Sequence, residues 1–222
     1  MIKWLVCVFL FLSQLGHSAT LLILGDSLSA SYGIAEEQGW VNLLSNELPN
    51  HRIVNASISG DTTGGGLARL PLLLVDIKPD YVLIALGAND GLRGHPLPLI
   101  AKNITAMIEL CKKHQVQPLL FGMRIPPNYG RRYGEGFANL YGTIARQSNV
   151  PLMPFNFDEI LISKNFILSD GLHPNAAAQP IIARAVRAFL NSILAPNIVA
   201  KRAPLAPGNQ QLIAVSAALY SR

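Results

Sequence analysis

Apolar positions along the chain fall into two alternating kinds of run. Residues 21–24, 81–86 and 117–123 are short blocks in which nearly every residue is apolar. They are too short for helices and match interior strands of a parallel sheet, covered on both faces. Between them lie longer stretches with apolar residues three and four apart, the spacing of one helix face. In residues 36–48 these are Trp40, Leu43, Leu44 and Leu48, and in residues 96–114 they include Ile100, Ile104, Met107, Ile108 and Cys111. The same pattern predicts strands over 52–56 and 152–155 and helices over 66–77, 134–148 and 175–194. Residues 124–130, with Pro126 and Pro127, are too proline-rich for regular structure.

Strands that alternate with helices imply a parallel sheet with right-handed crossovers and helices on both faces. The expected architecture is α/β, a flavodoxin-like three-layer αβα arrangement with a five-stranded parallel sheet in the order 2-1-3-4-5. That order has a switch point beside the first strand, where ligands of open α/β sheets sit. The loops after strands one, two and three converge there, and each is small and polar. The first is Gly25-Asp26-Ser27, in which the glycine permits a sharp turn and Asp26 or Ser27 supplies an oxygen to cap a helix start. The second runs from Ser57 through Gly60 to Thr63, and the third is Gly87-Ala88-Asn89-Asp90-Gly91.

At 222 residues the chain is long enough for one well-buried core. Lys3 followed by the apolar run 4–12 and then Gly16, His17 and Ser18 reads as an export signal over residues 1–18, too short for a stable membrane span. The expected destination is the periplasm. The single domain then covers 19–195, and residues 196–222, rich in Pro, Ala, Gly and Gln, read as a disordered tail. The formal charge of +5 is peripheral: without Lys3, Lys201, Arg202 and Arg222, 14 basic residues face 13 acidic ones. No dense basic stripe marks a nucleic-acid footprint. With Cys7 in the signal, Cys111 is left without an intramolecular partner and reads as a packed core thiol.

Chemistry enters through Ser27. A serine hydroxyl is a weak nucleophile and needs an imidazole to take its proton, with a carboxylate holding that imidazole in the right tautomer. Of the five histidines, His17 lies in the signal, His51 in a connection, and His95 and His114 at helix ends. His173 differs, since Asp170 lies three residues before it and Gly171 between them allows a tight turn. That spacing lets Asp170 bend back to the ring nitrogen facing away from Ser27. Acyl transfer also needs donors for the oxygen that becomes negative. The main-chain N–H groups of Ser27 and Gly60 and the side-chain amide of Asn89 are the candidates at the sheet edge.

Four blocks, Gly25-Asp26-Ser27-Leu28-Ser29, Gly60, Gly87-Ala88-Asn89-Asp90 and Asp170-Gly171-Leu172-His173-Pro174, resemble those of the SGNH, or GDSL, hydrolases. Residues 55–62, 89–94 and 127–133 further resemble the bacterial thioesterase, lysophospholipase and arylesterase group of that family. The resemblance covers about residues 20–194. It implies Ser27 as nucleophile, His173 as base, Asp170 as its orienter, and Ser27, Gly60 and Asn89 as oxyanion donors, without a metal or organic cofactor. It also points to Leu92, Arg93, Ile125 and Pro126 as residues lining an acyl groove. Ser31 stands where the group commonly has glycine, and Gly64-Gly65-Gly66 is expected to loosen a helix start. The expected protein is a monomeric serine esterase and thioesterase acting on small acyl esters and thioesters, lysophospholipids among them. A carbohydrate O-acetyl esterase and a non-catalytic binding module are the competing readings.

Overall fold

The computed structural model describes residues 18–157, 160 and 163–194. Residues 1–17 of the expected signal and the whole of the expected tail lie outside them. Five strands form one sheet: β1 Thr20–Gly25, β2 Arg52–Asn55, β3 Tyr81–Ala85, β4 Gln117–Phe121 and β5 Leu152–Met153. Every pairing is parallel and the order is β2-β1-β3-β4-β5, as the alternating pattern predicts. β3 is buried along its whole length and β1 from its second residue on, as a strand covered on both faces must be. β2, at the sheet edge, is only half-buried. β1 pairs with β2 on one side and with β3 on the other, so the chain leaves Gly25 at the switch point.

The helices are α1 Trp40–Glu47, α2 Thr63–Ile77, α3 Ala88–Leu92, α4 Leu97–Lys113, α5 Arg131–Ser148 and a last one, Gln179–Leu194. Several depart from the sequence pattern: α5 begins at Arg131 rather than 134, the last helix at Gln179 rather than 175, and three others differ more in kind. The helix expected over 36–48 is a 3-10 turn, Glu36–Gln38, followed by α1, because Gly39 between them is extended at φ −67° and ψ 145°. Ser31 comes so close that a Cβ on Gly39 would lie 1.9 Å from its Oγ. α2 begins at Thr63 and contains all three glycines of 64–66, with Thr62 Oγ1 capping it by accepting from Gly65 N at 3.2 Å. α3 forms inside a segment expected to be a loop.

The buried faces of α4 and β3 meet the expectation for a central core: Ile100, Ile104, Met107 and Ile108 are fully covered, as are Leu83 and Ile84. Cys111 is buried with them, and desolvation pushes its thiol up to about 12. Among the described residues the chain divides into two compact units, one ending at Arg184 and the other beginning at Ala185.

Candidate active site

The first strand-end loop is built on close contact. A Cβ on Gly25 would lie 2.7 Å from Ser57 Oγ and 2.8 Å from Ser29 Oγ, so only glycine fits between these two buried hydroxyls. Asp26 is completely buried. Its Oδ1 accepts from Leu28 N at 3.1 Å and its Oδ2 from Asn89 Nδ2 at 3.2 Å. Loss of water pushes its carboxyl up to about 6, although both hydrogen bonds and the nearby His173 act in the opposite direction. The main-chain oxygen of Asp26 accepts from Ser29 N and Ala30 N, so the expected helix start is a succession of turns.

Ser27 Oγ, on the first of these turns, lies 2.9 Å from His173 Nε2. His173 comes from a short hairpin in which Leu168 N donates to His173 O and Asn175 N to Phe166 O, each at 2.8 Å, around an antiparallel bridge between Ile167 and Pro174. Gly171 at φ +72° turns the hairpin tip. Asp170 Oδ1 accepts from Leu172 N at 2.9 Å and His173 N at 3.0 Å, and Oδ2 lies 2.7 Å from His173 Nδ1. The His173 N–H is the main cause that holds the Asp170 carboxyl down to about 2. Asp170 and Ser27 therefore sit on opposite nitrogens of one ring. Tyr32 packs its ring on the same imidazole, with centroids 4.4 Å apart and planes tilted by 38°.

The second loop is a turn closed by Asp61 N donating to Ile58 O at 3.1 Å. Gly60 is its third residue, at φ +79°, the value that a type II turn requires there. Among the described residues the N–H groups of Ser27 and Gly60 donate no hydrogen bond. The Asn89 amide differs, since Nδ2 donates to Asp61 O at 3.0 Å as well as to Asp26 Oδ2. Beside it Asp90, buried, accepts from Thr63 N and Thr63 Oγ1, both at 2.7 Å, and so ties the third loop to the start of α2. Arg69 on α2 pairs with Asp61 Oδ2 at 2.8 Å and donates to Ala56 O and, at 3.3 Å, to Gly25 O.

From Ser27 and His173 a cavity of about 390 Å³ opens, with Leu92, Ile125 and Pro126 on its wall. Arg93, expected on the same wall, is not there. Its guanidinium donates instead to Gly60 O at 3.1 Å. The inner wall comes from Trp40, Phe121, Phe155 and Phe157, none of which the sequence pattern separates from ordinary core. Tyr32 and Arg69 also escaped it, for their roles depend on which chain segments the topology brings together. Among the described residues no group of three or more His, Cys, Asp or Glu side chains could hold a metal ion, and no helix is long and apolar enough to cross a membrane.

The chain is similar to known proteins over most of its length. An arylesterase of Vibrio mimicus is 45% identical over 192 residues, covering 84% of this chain and 96% of that protein. A protein of Escherichia coli strain K12 named thioesterase 1/protease 1/lysophospholipase L1 is 45% identical over 180 residues, covering 79% of this chain and 86% of its own length. The crystal structure of a psychrotrophic esterase, EstA from Pseudoalteromonas sp., inhibited by monoethylphosphonate, superposes with a TM-score of 0.78 at 41% identity. It covers 80% of this chain and all (100%) of that one. The profile of the GDSL-like lipase/acylhydrolase family matches residues 23–180, from within β1 to the start of the last helix, so it takes in all three strand-end loops and the Asp170–His173 hairpin. By these matches the chain belongs to the GDSL-like lipase/acylhydrolase family.

Proposed function

We propose that the protein is an exported serine esterase and thioesterase that cleaves acyl esters and acyl thioesters, lysophospholipids included, through an acyl-enzyme on Ser27. The observation that carries this reading is the continuous chain from Asp170 Oδ2 through His173 to Ser27 Oγ, with gaps of 2.7 and 2.9 Å. Ser27 Oγ attacks the acyl carbonyl while His173 Nε2 takes its proton, and Asp170 at Nδ1 stabilises the imidazolium that results. His173 then gives that proton to the departing alkoxide or thiolate. In the second half His173 draws a proton from water, whose oxygen attacks the acyl carbon; the bond to Ser27 Oγ breaks, His173 returns the proton to Oγ, and the acid leaves.

The oxyanion formed in each half is received by the N–H groups of Ser27 and Gly60, which have no competing acceptor among the described residues. Asn89 joins them by yielding the longer of its two bonds, that to Asp26 Oδ2. The names of the relatives, arylesterase and thioesterase among them, support the reaction class. The apolar, aromatic cavity favours acyl chains longer than acetyl, which weighs against a carbohydrate O-acetyl esterase.

A fluorophosphonate probe tests the reading. The folded wild type is expected to be modified at Ser27 with loss of esterase activity, and Ser27→Ala to be neither labelled nor active. Labelling at another residue, or full turnover by Ser27→Ala, would overturn it.

A further inference from the structure

Gly60 is exposed, and a Cβ added to it would meet nothing within 4 Å, so side-chain packing does not hold this turn. Its orientation is nevertheless critical if its N–H is to face a substrate carbonyl. Two side chains, one from α3 and one from the residue that caps its C-terminus, reach it. Asn89 and Arg93 are four residues apart and therefore on the same helix face. They grip consecutive carbonyls of the turn: Asn89 Nδ2 donates to Asp61 O at 3.0 Å, and Arg93 Nη2 to Gly60 O at 3.1 Å. From the other side Arg69 pairs with Asp61 at 2.8 Å. Arg93 is exposed and off the cavity wall, so its visible partner is the turn.

We propose that Arg93 is a positioning residue of the oxyanion site, whose guanidinium fixes the Gly60 turn by holding Gly60 O and thereby aims Gly60 N–H at the substrate oxygen. The assignment rests on the Ser27 acyl-enzyme reading and deepens it. The donor orientation it secures matters only when negative charge develops on the substrate oxygen, so the loss should fall on turnover and not on binding. A charge at the rim that instead recognised an anionic leaving group would act on substrate affinity.

The experiment compares wild type, Arg93→Gln and Arg93→Lys on a neutral aryl ester and on an acyl-CoA, together with the rate of phosphonylation at Ser27. Removing an oxyanion donor outright lowers kcat by about 100-fold or more, and a donor that is loosened but present should cost about tenfold. Arg93→Gln is therefore expected to lose about tenfold in kcat on both substrates and in phosphonylation rate, with KM within about twofold. Arg93→Lys, which keeps a cationic donor without the planar fork, is expected to recover part of that loss. Melting temperatures should stay within about 2 °C, since the side chain is exposed. Unchanged kcat, or a rise in KM confined to acyl-CoA, with Ser27 labelled normally, would overturn the role given to Arg93 alone. Failure of the wild type to label at Ser27 would overturn the underlying reading.

Discussion

Asp26 is a carboxyl group fully withdrawn from solvent, next to Ser27 in the chain. Burial raises it from 3.8 to about 6. Below pH 3.8 it is protonated in folded and unfolded chains alike. Between 3.8 and 6 the unfolded chain gives up this proton and the folded one keeps it, so stability falls as pH rises through that window. Asp170 behaves oppositely: lowered to about 2, it stabilises the fold above 3.8 and that contribution is lost only as the pH falls toward 2. Unfolding measured from pH 4 to 6.5 should therefore isolate Asp26. The stability of Asp26→Asn relative to wild type is expected to improve by roughly 2 kcal/mol across this range. A pH-independent difference would mean that the buried carboxyl does not titrate there. Ser27, Asp170 and His173 are legible in the sequence as candidates because few residue types suit such a relay, and because Asp170 and His173 lie three residues apart with Gly171 between them, although Ser27 is far away along the chain. Arg69, and the hold of Arg93 on Gly60 O rather than on the groove wall where it is expected, are not, because both act on carbonyls whose neighbourhood only the folded chain creates.

The start of α2 illustrates what determines an element's ends. Three consecutive glycines suggest a loose beginning, yet the helix contains them, capped by Thr62. Two of the three are there for close approach: a Cβ at Gly65 would lie 2.0 Å from Asp61 Oδ1, and one at Gly66 would lie 2.2 Å from Cδ1 of the fully buried Leu86. Gly64 has only ordinary contacts, at 3.7 Å and beyond. Gly64→Ala is accordingly expected to raise stability by about 0.5–1 kcal/mol through reduced chain entropy. Gly66→Ala should lower it by about 1–3 kcal/mol as Leu86 is forced aside. Denaturant unfolding of the two variants checks this, and equal effects would refute it. The break at Gly39 and the unexpected α3 have the same origin, since contacts with distant segments outweigh local propensity.

Across the whole molecule the strand order is legible because the central strands are continuous apolar blocks, whereas β5 is weakly marked: the pattern predicts it over 152–155 and only Leu152–Met153 pair. The sheet begins immediately after the expected signal. Ala19 N donates to His51 Nδ1 at 3.2 Å and Thr20 N to Asp80 Oδ2 at 2.8 Å, and no described strand includes a residue before Thr20. If the chain is exported and residues 1–18 are removed, amino-terminal sequencing of the periplasmic fraction should read from Ala19, and recovery of intact Met1 there would contradict removal. The hairpin that carries Asp170 and His173 has a final consequence. Asp170 and His173 share one small clip of chain, closed by its own main-chain bonds, whereas Ser27 sits on the turn that follows β1. If that clip swings, the pair travels as a preassembled cartridge, and a single gap of atomic width, from Nε2 to Oγ, governs whether the three side chains are joined.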